Sequence, residues 1–101
     1  MNCVETFGPI MPIYRFRDTN EAIEKSNDTC FGLAAYVLTG DLGTAIRMAE
    51  SLEFGIIGIG DVTPAAAQCP FGGMKESGLG RECAAEGLDA YLETKYVSLA
   101  V

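Results

Sequence analysis

An acid, an aromatic and a Gly-Pro turn stand almost at the start of the chain, in ETFGP at residues 5–9. A terminus is usually frayed and tolerant of change, so a turn this specified reads as the interior of something larger. The second stretch with chemical character is CPFGGMKESGLGRE at residues 69–82, an aromatic between Pro and Gly-Gly followed by a single lysine and a Gly-x-Gly turn. Its glycines imply positive φ or tight backbone approach, and its plainest structural reading is a tight hairpin bracing the next helix. The run GLGREC from Gly78 begins like a dinucleotide fingerprint, but Cys83 stands where the third glycine belongs. It also comes after a loop rather than a strand, so a turn entering a helix is the better reading.

What the chain lacks narrows the chemistry further. There is no histidine, so no Ser/His/Asp or Cys/His pair has its base, and a Cys/His zinc site is impossible. The four cysteines, Cys3, Cys30, Cys69 and Cys83, form no C-x-x-C pair; the expectation is no metal and free thiols in a reducing compartment. Glu50 and Glu53 fall on the polar side of a helix, where solvation explains them. The net charge of −7 repels phosphate backbones and anionic headgroups, so neither nucleic acid nor a membrane surface is expected as partner. No signal-peptide or membrane-length apolar run is visible, and a cytoplasmic protein is expected.

The elements that must position these residues alternate in type. PIMPIYRF reads as an edge or extended strand, strongest at residues 13–16, because two prolines interrupt it. Asp18 with Glu21 makes a capping box for a helix running to about Asn27, with Ala22 and Ile23 inward. LAAYVLT, residues 33–39, is an apolar run expected of a strand covered on both faces. Asp41 caps a second helix whose apolar stripe is Leu42, Ala45, Ile46, Ala49 and Leu52, with Gly55 ending it in a left-handed turn. IIGIG, residues 56–60, is a short buried strand whose glycines admit a close backbone. A loop to Gly80 leads to a third helix over residues 81–92, with Ala84, Leu88 and Tyr91 on one side, and the alternating end YVSLAV reads as a strand. With 101 residues this is a single domain: an α/β core over 1–94 and an association strand over 95–101. The order β-α-β-α-β-loop-α-β predicts a layered α/β/α fold with a mostly parallel sheet.

Together, ETFGP, NDTCFGLAAYV, DLGTAIRMAESLEFG, PFGGMKESGLGRE and GLDAYLETKYV resemble, in order and over essentially the whole chain, the C-terminal stretch of the NAD(P)-dependent aldehyde dehydrogenase superfamily. Among its subgroups the sequence is most similar to the succinate-semialdehyde dehydrogenase-like enzymes, chiefly through PFGGMKESGLGRE and YLETKYV. The resemblance implies that Glu5 accepts from the nicotinamide-side ribose hydroxyls of NAD or NADP and that Phe7 packs near the nicotinamide. It places Phe71 on the substrate-side loop. It also implies that the family's nucleophilic cysteine, general base and cofactor domain lie outside these residues, so no catalytic residue is assigned. The isolated chain is expected to be inactive and to bind no cofactor by itself. DVTPAAAQC offers no serine or arginine where the family grips a succinate-type carboxylate, so substrate preference is not implied. Two partners are expected: a second copy through the C-terminal strand, or a complementing dehydrogenase N-terminal chain. The other functional class left open is a self-associating α/β interaction module.

Overall fold

The computed structural model describes residues 4–101; Cys3 lies outside the described residues. Four elements form its centre: α1 (Thr19–Asn27), β1 (Ala34–Val37), α2 (Leu42–Ser51) and β2 (Ile56–Ile59). A 3₁₀ turn (Lys75–Ser77) and a short helix α3 (Glu86–Asp89) come after them in the chain. The fold is α/β, as expected, with β1 and β2 parallel in register Ala34↔Ile56 to Val37↔Ile59.

Both long helices start where their caps predict. The Asp18 carboxylate accepts from Glu21 N–H at 3.0 Å, and the Asp41 carboxylate accepts from Thr44 N–H at 2.6 Å. Each satisfies one amide that the first helical turn leaves without a partner. The capping box of α1 closes one residue early. The Glu21 carboxylate accepts from Arg17 N–H (2.8 Å) and Arg17 Nε (3.0 Å), outside the cap residue. The core is small: Val37, Met48 and Leu52 are buried together, with Ile23, Ala35, Phe54 and Ile57 packed against them. On α2 the buried residues are Ala45 and Met48, while Leu42 and Ile46 of the expected stripe are exposed. Met48 is not part of that stripe; it lies one turn from Ala45 and Leu52 and fills the space over β1.

Four expectations need correction. Residues 13–16 form no strand, and neither do residues 95–101; a strand exists only against a partner ladder, and no described residue supplies one. β1 is covered on one face, not two: Val37 is buried, whereas Tyr36 is 54% exposed. The third helix is cut to Glu86–Asp89 because Cys83 (φ 62°) and Ala84 (φ 50°) are left-handed, a backbone state in which a right-handed helix cannot propagate. Leu88 and Tyr91 are consequently exposed. Gly55 is not among the positive-φ glycines; α2 ends at an extended Leu52, and Gly55 instead admits the close approach of another chain segment.

Candidate functional site

The loop after β2 folds back as a hairpin. Phe71 and Glu82 exchange both backbone hydrogen bonds, at 2.8 and 2.7 Å. Inside it, the Arg81 guanidinium donates from Nη1 to the carbonyls of Gly73 (2.9 Å) and Gly80 (2.7 Å). Gly78 (φ 111°) and Gly80 (φ 80°) make the reversal that only glycine takes without strain.

This hairpin is seated on the start of the sheet by backbone and side-chain bonds together. The Gly32 carbonyl accepts from Gly55 N–H (3.0 Å) and from Met74 N–H (2.9 Å), and Gly32 N–H donates to Ser77 Oγ (2.9 Å). A Cβ on Gly55 would lie 1.8 Å from the Gly72 carbonyl oxygen, and one on Gly32 would lie 2.9 Å from both the Glu53 and Met74 oxygens. Three chain segments therefore meet where no side chain fits. The single lysine of the loop completes the joint. Lys75 Nζ donates to the carbonyls of Asn27 (2.8 Å) and Thr29 (3.2 Å) and pairs with Glu53 at 2.8 Å. A cation there suits the carbonyls at the C-terminal end of α1. Asn27, which sequence reasoning did not single out, binds both ways across the helices: its Nδ2 donates to Ser51 C=O (2.8 Å) and its Oδ1 accepts from Glu53 N–H (2.9 Å). Its position just before a helix break was the available signal.

An N-terminal arm, residues 4–16, carries no helix or strand. It is fastened by Lys25 Nζ donating to Arg15 C=O (2.7 Å) and by the Arg17–Glu21 ion pair (3.0 Å). Lys25 also pairs with Glu21, at 3.0 Å. Held by two cations, the Glu21 carboxyl is lowered from its ordinary 4.5 to about 2, the hydrogen bond from Arg17 being the larger cause. The Asp41 carboxyl is lowered by its bonds to Thr44. Between arm, α1 and β1 lies an open groove of about 900 Å³, within the size range of small-molecule sites.

The expected site residues are distributed between two places. Glu5 lines the large groove, with Lys25, Phe31 and Tyr36. Phe7 is 86% exposed and is not part of that lining. Phe71 is half-buried in the hairpin and borders a separate cavity of about 310 Å³ with Arg81 and Ser77. Among the described residues no group of three or more His, Cys, Asp and Glu side chains is placed to hold a metal. Cys30 is buried, and Cys69 and Cys83 are exposed free thiols.

The described residues thus form a parallel α/β unit with a hairpin packed on its sheet through glycine-to-glycine contact. The aldehyde dehydrogenase family pattern matches residues 1–97, and the chain belongs to that family. It is 47% identical over 97 residues to the NADP(+) succinate-semialdehyde dehydrogenase of Escherichia coli, covering 96% of this chain and 20% of that protein. It is 50% identical over 95 residues to the glutarate-semialdehyde dehydrogenase of Pseudomonas aeruginosa, with 94% and 20% covered. In structure it matches succinate-semialdehyde dehydrogenase from Burkholderia pseudomallei with a TM-score of 0.91 at 46% identity, over 98% of this chain and 20% of that one. It also matches betaine aldehyde dehydrogenase from Staphylococcus aureus, solved with NAD+, with a TM-score of 0.88 at 44% identity, over 92% and 18%. The chain thus spans about a fifth of the length of the relatives it matches.

Proposed function

We propose that this chain is the C-terminal part of an NAD(P)-dependent dehydrogenase of semialdehyde type, the part that closes over the nicotinamide side of the cofactor. The observation that carries the reading is Glu5 on the wall of the large groove, in a chain that belongs to a family with an NAD+-bound structural relative. A carboxylate has acceptor sites for both hydroxyls of a ribose, and the exposed Phe7 ring is free to lie against a flat ring. Phe71, held by the hairpin, faces the substrate side. When bound, the dinucleotide supplies the hydride acceptor for aldehyde oxidation.

By themselves these residues do not complete the reaction. Covalent aldehyde oxidation requires an activated thiolate and a base, and the resemblance assigns neither role to a residue of this chain. Assay of the 101-residue chain with NAD or NADP and a panel of aldehydes is expected to show no turnover, and calorimetry only weak or undetectable NAD binding. Turnover that depends on one of the four cysteines, or tight NAD binding lost in Glu5→Ala, overturns the reading.

A second reading concerns association. Residues 92–101 carry no helix or strand and are exposed throughout, Tyr96 and Leu99 among them. An uncovered, alternating, proline-free segment is a template for pairing with another chain. We propose that the chain self-associates through it. Light scattering over a concentration series, on the full chain and on one ending at Thr94, tests this: a monomer at every concentration, or an oligomer indifferent to the truncation, removes the segment from that role.

A further inference from the structure

The hairpin of residues 71–82 is bonded to the centre of the molecule through one short stretch. Met74 N–H donates to Gly32 C=O (2.9 Å), Glu76 N–H donates to Cys30 C=O (3.0 Å), and Ser77 Oγ accepts from Gly32 N–H (2.9 Å). Farther out the bonds stay within the hairpin: Phe71 pairs with Glu82, and Arg81 holds the carbonyls of Gly73 and Gly80. A unit braced from inside and tied down over residues 74–77 takes its position from those four residues.

Lys75 lies in that stretch, in a backbone state that needs a reason. Its φ is 55°, a left-handed conformation that glycine takes freely and that any other side chain makes costly. A lysine kept there points to a use for the side chain. Its ammonium has three N–H donors, and three acceptors surround it: Asn27 C=O at 2.8 Å, Thr29 C=O at 3.2 Å and Glu53 Oε2 at 2.8 Å. The Phe54 ring centre lies 6.0 Å away, within reach of the ring's negative face. With the side chain only 23% exposed, little water competes for these bonds. The acceptors come from the end of α1, the turn before β1 and the stretch between α2 and β2. Asn27 already ties the first of these to the third, through Ser51 and Glu53, so the cage is fixed independently of the lysine that fills it.

We propose that Lys75 is a positioning residue: its caged ammonium fixes where the hairpin, and with it Phe71, stands against the sheet, and without that charge the hairpin shifts as one piece. The functional meaning rests on the reading of Phe71 as a substrate-side residue. A misplacement of about 1 Å beside a substrate can cost about a hundredfold in rate, so a fastener remote from the substrate acts on the reaction through geometry alone.

Hydrogen exchange in the full chain reads the placement amide by amide. Lys75→Met keeps the length of the stem and removes the charge. In that variant the amides of Met74 and Glu76 are expected to exchange about tenfold faster or more, as in a local opening. Those of Phe71 and Glu82 inside the hairpin, and of Ile56 and Gly60 in the centre, are expected to keep their rates. Should Lys75→Met fail to fold, Glu53→Ala decides by the same amides: the Glu53 side chain is 58% exposed, its N–H bond to Asn27 is retained, and the same pattern is expected at smaller size. Acceleration of all these amides alike would make Lys75 a general stabiliser and overturns the proposal. Unchanged rates at Met74 and Glu76 overturn it too, since the hairpin would then stay seated without the charge. Faster exchange at Phe71 and Glu82 would show that the hairpin unravels rather than shifts, and also overturns it. None of these outcomes depends on substrate; the aldehyde and NAD measurements decide the proposed function separately.

Discussion

The two arms of the molecule are at least as apolar in sequence as its centre and opposite in fate. At the centre, the Gly32 carbonyl alone ties Gly55 and Met74 together, and Val37, Met48 and Leu52 are buried. In the arms, residues 4–16 and 92–101, Ile13 is 78% exposed and Tyr96 88%. The radius of gyration, 17.9 Å, exceeds the roughly 13 Å of a compact domain of about 100 residues. Apolar composition thus marks where a surface will be covered but does not say by which chain. The centre finds its cover locally, through βαβ connection and glycine contact; the arms have none among the described residues.

The largest break in that contrast is expected from Gly55→Ala. Its Cβ would stand 1.8 Å from the Gly72 carbonyl oxygen, and two backbones must separate to admit it. The hairpin is expected to leave the sheet, with a loss of about 3 kcal/mol or more by urea denaturation, the upper end for overpacking. An unchanged midpoint would mean that the joint does not hold the centre together. Leu52→Ala is next, at about 2–3 kcal/mol, the low end for a buried leucine because the core is small and can partly collapse. Leu99→Ser should do nothing of the kind. In the dilute monomer its effect is expected within about 0.5 kcal/mol, as for surface positions, while association measured by light scattering weakens. If it destabilises the monomer as Leu52→Ala does, the division between centre and arms is wrong.

The smallest effect joins the two regions. Glu21 holds Arg17, beside the arm, to α1 and is lowered from 4.5 to about 2, chiefly by its bond from Arg17. A lowered carboxyl stabilises the folded chain fully above its unfolded value and loses that contribution as the pH falls to the folded one. The arm is therefore expected to loosen between about pH 4.5 and pH 2, and not above, with the ends of α1 fraying in parallel. A titration of the Glu21 carboxyl followed by NMR checks it: a midpoint near 4.5 would show that the ion pairs do not persist in solution. Salt should weaken the same tie, since the Arg17 side chain is exposed.

The helix starts were read correctly, because their physics is local. Asp18 and Asp41 cap helices because a side chain accepts from an amide three residues on, whatever surrounds it. The strands at 34–37 and 56–59 were visible as short apolar runs between turn residues. Of the candidate site, the hairpin was legible through its glycines. Lys75 and Asn27 were not, because their partners, Glu53 and Ser51, are more than 20 positions away and no spacing rule reaches that far.

The amino-acid sequence by itself determined the family, the two capped helices, the two short strands and the hairpin with its glycine turns. Each is set by bonds between near neighbours or by a motif read as a whole. Only the tertiary structure decided that Gly55 serves close approach rather than a helix end, since the clash partner, Gly72, lies on another segment. It alone showed that the third helix stops short, because Cys83 and Ala84 bend left-handed to meet a hairpin fixed from elsewhere. It alone separated the apolar runs into strands and arms, because a strand is a property of two segments, and the second is chosen by the fold.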